Sequence, residues 1–257
     1  MGQDDTEEVR RGGRGDGRLT DLISSLVSSP VVVLQVGAVA AAAGVAGAVW
    51  AVSWRRRGTK VAYTRKLFHL VVFSVAAVVH VVWELPGTVV FGTVITGIVL
   101  AAVASGDGHP FYEALARESD RPHRTLFIVI PLFTTAAGGL MSALLVGPYA
   151  SVGYLAAGWG DAAGEPVGAR WGRHEYRVPS LAGVPAHRTL EGSAAVFLVA
   201  WLGSAIALWS LGAASEALSV GLACGVAAAV VEAGSNHGLD NFTVQVAASL
   251  TAMWLAG

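Results

Sequence analysis

Asp161 follows a short apolar run and opens a polar stretch, Gly158 to Ser193, in an otherwise apolar chain. A carboxylate in that position is suited to holding a divalent ion. Arginines nearby bind phosphate in fork geometry, and glycines let a backbone approach a ligand closely. Gly158, Trp159, Gly160 and Asp161 lead on to Gly164, Gly168, Arg170 and Arg173. The stretch closes on His187, Arg188, Thr189, Leu190, Glu191, Gly192 and Ser193. A helix start would account for Thr189 as a cap and for an acid in the first turn. A phosphate and its metal would account in addition for the basic pair crowded against that acid.

Two further groups have the same flavour. Arg65 and His69 are four apart and share a face of a helix, with Lys66 a step around. Basic residues there also serve as interfacial anchors. A histidine one turn into hydrocarbon, however, points to a polar interior. Late in the chain Glu232 is followed by Asp240 and Asn241, a polar turn or a second set of ligands. Read together, these groups predict a loop at one membrane face that binds a nucleotide and its metal, with the helices delivering a lipid alcohol to it.

The elements that must position them are apolar. The 257 residues are 54% hydrophobic and 14% charged, with mean hydropathy +0.58, against about 25% charged residues in soluble domains. The expected fold is all-α, a polytopic bundle of about eight transmembrane helices with a cytoplasmic Gly/Arg-rich loop. The expected spans are 31–52, 67–83, 88–104, 126–146, 149–159, 193–211, 217–232 and 242–256, the fifth and eighth being short. Pro131 should kink the fourth, and Glu84 to Gly87 should form a tight turn. Residues 1–29 read as a polar, disordered tail, and 30–257 as the membrane-embedded catalytic domain. Lys and Arg gather in 53–66, 105–125 and 159–192 and are missing from 84–87, 147–148 and 212–216. Alternating spans put all the basic loops on one side, the cytoplasmic face of the cytoplasmic membrane. A net charge of −1 argues against nucleic acid as a partner. The single cysteine, Cys224, lies in an apolar run and reads as a small buried hydrophobe.

GWGDAAGEPVGARWG followed by HRTLEGSAA resembles the polyprenol kinase family, which groups dolichol, phytol and farnesol kinases with a CTP-dependent diacylglycerol kinase. Arg65, Lys66 and His69 resemble its early Arg-Lys-x-x-His, and Glu232, Asp240 and Asn241 its late acid and Asp-Asn. The resemblance covers residues 60 to 257. His187 departs from a usual basic pair, and Gln245 from a proline that often follows Asp-Asn. The resemblance implies transfer of the γ-phosphoryl of CTP to an isoprenoid alcohol of the membrane, of dolichol, phytol or geranylgeraniol type. It implies Mg²⁺ on Asp161, Glu191 and Asp240, and a catalytic group of Asp161, Glu191, His69 and Lys66. The nucleotide would meet Arg65, Gly160, Gly164, Gly168, Arg173, Arg188, Thr189, Gly192 and Asn241. A lipid-phosphate cytidylyltransferase would use the same loop, metal and CTP. A transporter would instead need charges near the bilayer midplane.

Overall fold

The computed structural model describes residues 29–181, 184–236 and 238–257. The expected N-terminal tail lies almost wholly outside the described residues. The chain is an all-α polytopic membrane protein. Among the described residues, five helical stretches are long and apolar enough to cross a membrane: Pro30–Arg56, Val61–Ser105, Leu126–Trp171, Leu190–Ser210 and Ala217–Gly234. Side chains such as Leu34, Val82, Trp209, Leu218, Val230 and Trp254 stand exposed on the outside of the bundle. Water would penalise so much contiguous apolar surface, whereas lipid does not.

Helix α1 (Pro30–Arg56) begins on a proline and ends on Arg55 and Arg56. Helix α2 (Val61–Ser105) is broken at Glu84, whose φ of 50° and ψ of −142° are not helical. Pro86 stands two residues on, where its missing N–H removes a helical bond. A straight helix would hold Phe68 and Val99 far apart, yet both line one cavity. The two arms, 61–83 and 85–105, therefore fold back on each other, and the chain reverses at Glu84, within the tight turn expected at 84–87. A short α3 (Pro110–Leu115) and a 3₁₀ turn (Glu118–Asp120) occupy the next polar connection. Helix α4 (Leu126–Val146) ends at Gly147, where φ of 56° favours glycine, and the chain reverses into α5 (Ala150–Trp171).

The largest correction concerns the stretch expected as a loop. It continues as helix to Trp171, giving α5 22 residues instead of the expected short span. It then forms an antiparallel hairpin, β1 (Glu175–Leu181) and β2 (Val184–Thr189). Helices α6 (Leu190–Ser210), α7 (Ala217–Gly234) and α8 (Asp240–Ala256) complete the chain. α5 is the central element, and its glycines are the reason it can be. A β-carbon on Gly158 would collide with Phe73 of α2, and one on Gly153 with Ser249 and the Gln245 backbone of α8. One on Gly164 would come within 2.5 Å of Val196 Cγ2, and one on Gly160 within 3.2 Å of Val196 Cγ1, both on α6. Small residues let helix backbones approach closely where burial against water supplies no drive.

Candidate functional site

Two ion clusters form at the end of the bundle that carries the basic connections, opposite the breaks at Glu84 and Gly147. In the first, Lys66 on α2 lies 2.5 Å from Asp161 Oδ1 and 3.1 Å from Glu165 Oε2, both on α5. His69 Nε2 is 3.3 Å from Asp161 Oδ2. Arg117 Nη1 reaches Glu165 Oε1 at 3.0 Å and its Nε reaches Asp120 at 3.0 Å. Arg65 Nε stands 4.0 Å from Glu165. The Lys66 side chain is only 5% exposed. Removing it from water is tolerable because two carboxylates face it; an unpaired ammonium there would be costly. In the second cluster, Arg188, on β2, spans Glu232 of α7 at 3.0 Å and Asp240 of α8 at 2.8 Å. Asp240 Oδ1 also accepts from the N–H groups of Gly238 and Asn241.

The clusters share a polar cavity of about 280 Å³, walled by Asp161, Glu165, Glu175, His187, Arg188, Thr189, Gly192, Ser193, Glu232 and Asp240 among others. Four separated parts of the chain thus bring Asp161, Arg188 and Asp240 to one space. On the other side of His69 lies a mainly apolar cavity lined by Arg65, Phe68, His69, Val72, Phe73, Leu132 and Asn241, among others. The His69–Asp161 pair therefore stands between a greasy chamber and a charged one. Asn241 touches both sides, lining the apolar cavity and a small recess with Asp161 and Asp240.

Other expected residues fall elsewhere. Glu191 does not join Asp161 and Asp240. Its Oε1 is 2.7 Å from His174 Nδ1, and its Oε2 accepts from the Arg173 and His174 N–H groups. It fastens the end of α5 to the start of α6 instead. The Arg173 side chain is exposed and lines neither cavity. Thr189 caps α6, accepting from Gly192 N–H at 3.0 Å, so the helix-start reading holds for it while it also borders the cavity. Gly160 packs on α6 and is absent from the cavity wall; Gly164 and Gly168 border it but are held close to Val196 and Thr189. Their spacing is a helix-packing signal more than a phosphate cradle.

Glu165 and Arg117 were missed as site residues. Glu165 is four residues from Asp161 and shares its helix face, a signal invisible while the stretch is read as a loop. Arg117 comes from the connection between α3 and the 3₁₀ turn, and its distance from Asp161 in sequence gives no cue.

The fold and this end cluster define a polytopic helical membrane protein with a charged cavity beside an apolar one. The chain is 29% identical over 204 residues to a phytol kinase from Synechocystis sp., covering 75% of this chain and 81% of the relative. That similarity supports a polyprenol or phytol kinase-like family, in agreement with the motifs. No family model matches the chain, and no solved structure matches it.

Proposed function

We propose that this chain is a membrane-embedded kinase that phosphorylates the hydroxyl of an isoprenoid alcohol, with CTP as donor and the charged cavity at the cytoplasmic face of the cytoplasmic membrane. The observation that carries this reading is the His69–Asp161 contact between an apolar chamber and a cavity walled by five carboxylates and Arg188. A lipid alcohol and a nucleotide triphosphate need those two environments within bonding distance of each other. The 29% identity to a phytol kinase points to the same chemistry.

Phosphoryl transfer requires positioning and charge neutralisation more than covalent help from the protein. The alcohol oxygen attacks the γ-phosphorus, the bond to the β-phosphate oxygen breaks, and CDP leaves with the electron pair. The hydroxyl proton passes to His69, whose ring faces Asp161, itself held in place by Lys66. Arg188 is the fork for the phosphates, kept aimed by Glu232 and Asp240. His187 and the N-terminal turn of α6 at Gly192 flank the same space.

The wall also suits Mg²⁺. Asp161, Glu232 and Asp240 all border the cavity, and the buried Oε2 of Glu232 has no hydrogen-bond partner. No cluster of three or more ligating His, Cys, Asp or Glu occurs among the described residues. Mg²⁺ commonly takes one or two carboxylates and completes its shell with phosphates and water. Asp161 and Glu232 are the residues that would hold it, in place of the expected Glu191. Bound there, the ion would neutralise charge on the β- and γ-phosphates.

The test is transfer of label from γ-labelled CTP or ATP to prenols in membranes with and without the protein. A labelled prenyl phosphate with release of CDP is expected. Pyrophosphate release in place of CDP would instead mean cytidylyl transfer, and no labelled lipid from any nucleotide would overturn the reading.

A further inference from the structure

The apolar chamber beside His69 does not end there. A second, larger cavity of about 340 Å³ shares Val72, Phe73, Ile95, Leu132 and Thr135 with it. The two cavities are therefore neighbours, separated only by those shared side chains, and together they run from His69 towards the middle of the bundle. The lower part of this passage lies between the 85–105 arm of α2 and helix α4, with Tyr154 and Gln245 at the back.

Three features of this lower part go together. Its facing walls carry small side chains: Gly92 on the arm, Ala136 and Gly139 on α4. A β-carbon on Gly92 would meet nothing within 4 Å, so this glycine does not serve close helix packing, unlike Gly158 or Gly164. Four of the six polar side chains that reach the lining donate to the protein's own backbone. Thr88 and Thr93 donate to Glu84 and Val89 carbonyls at 3.1 and 2.8 Å, Tyr154 to the Gly139 carbonyl at 2.8 Å, and Gln245 Nε2 to the Thr135 carbonyl at 3.2 Å. With those four donors occupied and the rest of the lining mostly hydrocarbon, the passage offers a ligand a mainly apolar wall, suited to a hydrocarbon tail more than to a head group. Thr93 and Leu140, on its two rims, are exposed on the bundle surface that faces lipid.

We propose that this passage holds the tail of the alcohol, whose far end runs out towards the bilayer between residues 88–96 and α4, and that Gly92 sets how long a tail is accepted. The proposal rests on the kinase reading for the hydroxyl end alone: a tail reaching His69 from below presents its terminal oxygen to Asp161. A long tail must pass Gly92, whereas a short one ends above it.

The experiment compares Gly92→Phe with the wild-type protein on a twenty-carbon and a ten-carbon prenol. Gly97→Phe serves as the control, since a β-carbon at Gly97 also meets nothing within 4 Å but Gly97 lines neither cavity. Gly92→Phe should lose at least about tenfold in kcat/KM on the long prenol and little on the short one, in the range a blocked apolar subsite gives. Gly97→Phe should change neither. Equal losses on both prenols, or none, overturn the assignment of Gly92.

Binding is read separately with a photoreactive twenty-carbon prenol in detergent-solubilised protein. It should label peptides 88–96 and 132–140 in the wild-type chain and much less in Gly92→Phe. Labelling confined to other helices overturns the passage even if the kinase is active. Labelling as expected without any phosphoryl transfer overturns the kinase reading and leaves the passage standing.

Discussion

Arg124 and Lys66 are both buried cations ringed by acids at the same end of the bundle, 4% and 5% exposed in their side chains. Arg124 bonds Asp107 at 3.0 Å, Glu113 at 2.7 Å and the Ala116 carbonyl at 3.1 Å, and stands 3.1 Å from Glu118. Its guanidinium also lies over the Tyr112 ring. Asp107 and Glu118 point outward, 59% and 60% exposed, and neither they nor Glu113 lines the cavities described above. The acids of Lys66, 21% and 19% exposed, face the charged cavity. Composition is alike in the two clusters; the space in front of them is not. The first ties the connection between α2 and α4 together, while the second turns its acids to an open cavity.

Asp161→Asn is the sharpest way to break this comparison. It removes the carboxylate that the proposed function sets beside His69 and the metal, while Glu165 still pairs Lys66, so activity should fall by about 10² to 10⁴ with the protein inserted and folded. Full turnover in a radiolabel assay would end the case for Asp161. Next comes Arg188→Lys, which keeps the charge but loses the fork. Losing one charge-assisted hydrogen bond of about 2 kcal/mol should lower kcat/KM for the nucleotide by about thirtyfold.

Arg124→Met should do the reverse of both. It leaves specific activity nearly unchanged and costs about 2 kcal/mol of stability, less than for a fully enclosed pair because its acids reach water. Thermal melting in detergent beside the transfer assay reads the two effects apart. The same cluster has a pH signature. Arg124 donates to Glu113 and holds its carboxyl below the usual glutamate range. A depressed acid adds stability that is fully present above its unfolded pKa, about 4.3, and is lost as pH falls through the lower folded value. Melting temperature should therefore drop more steeply below about pH 4 in the wild-type chain than in Glu113→Gln. The smallest effect is expected at Glu191→Gln, where only the tie to His174 weakens. Activity should stay within about threefold, as for losing a partly exposed hydrogen bond; a loss as large as that at Asp161 would return Glu191 to the catalytic group.

Much of this was legible in the chain. Long apolar runs announce membrane helices because an unpaired backbone cannot lie in hydrocarbon, and basic residues mark the connections between them. Asp161, Arg188 and Asp240 could be singled out because charge is costly beside such runs. The glycines misled. Gly160, Gly164 and Gly168 look like a phosphate loop, yet a four-residue spacing of glycines also serves close helix packing, and only the neighbouring Val196 shows which applies. Treating the stretch as a loop also hid Glu165, whose relation to Asp161 exists only on a helix. Gln245, read as a departure at the end of a motif, is a buried amide tying α8 to the Thr135 carbonyl.

The order and chemistry of the residues alone determined the class of protein and most of the charged groups that matter, since hydropathy and charge act locally along the chain. Which acids face one another was decided by tertiary packing: the reversals at Glu84 and Gly147 and the close approach of α5 to three neighbours. Those contacts join residues far apart in the chain, 95 positions in the Lys66–Asp161 pair, and separation along a chain carries no information about such a meeting until the helices have packed.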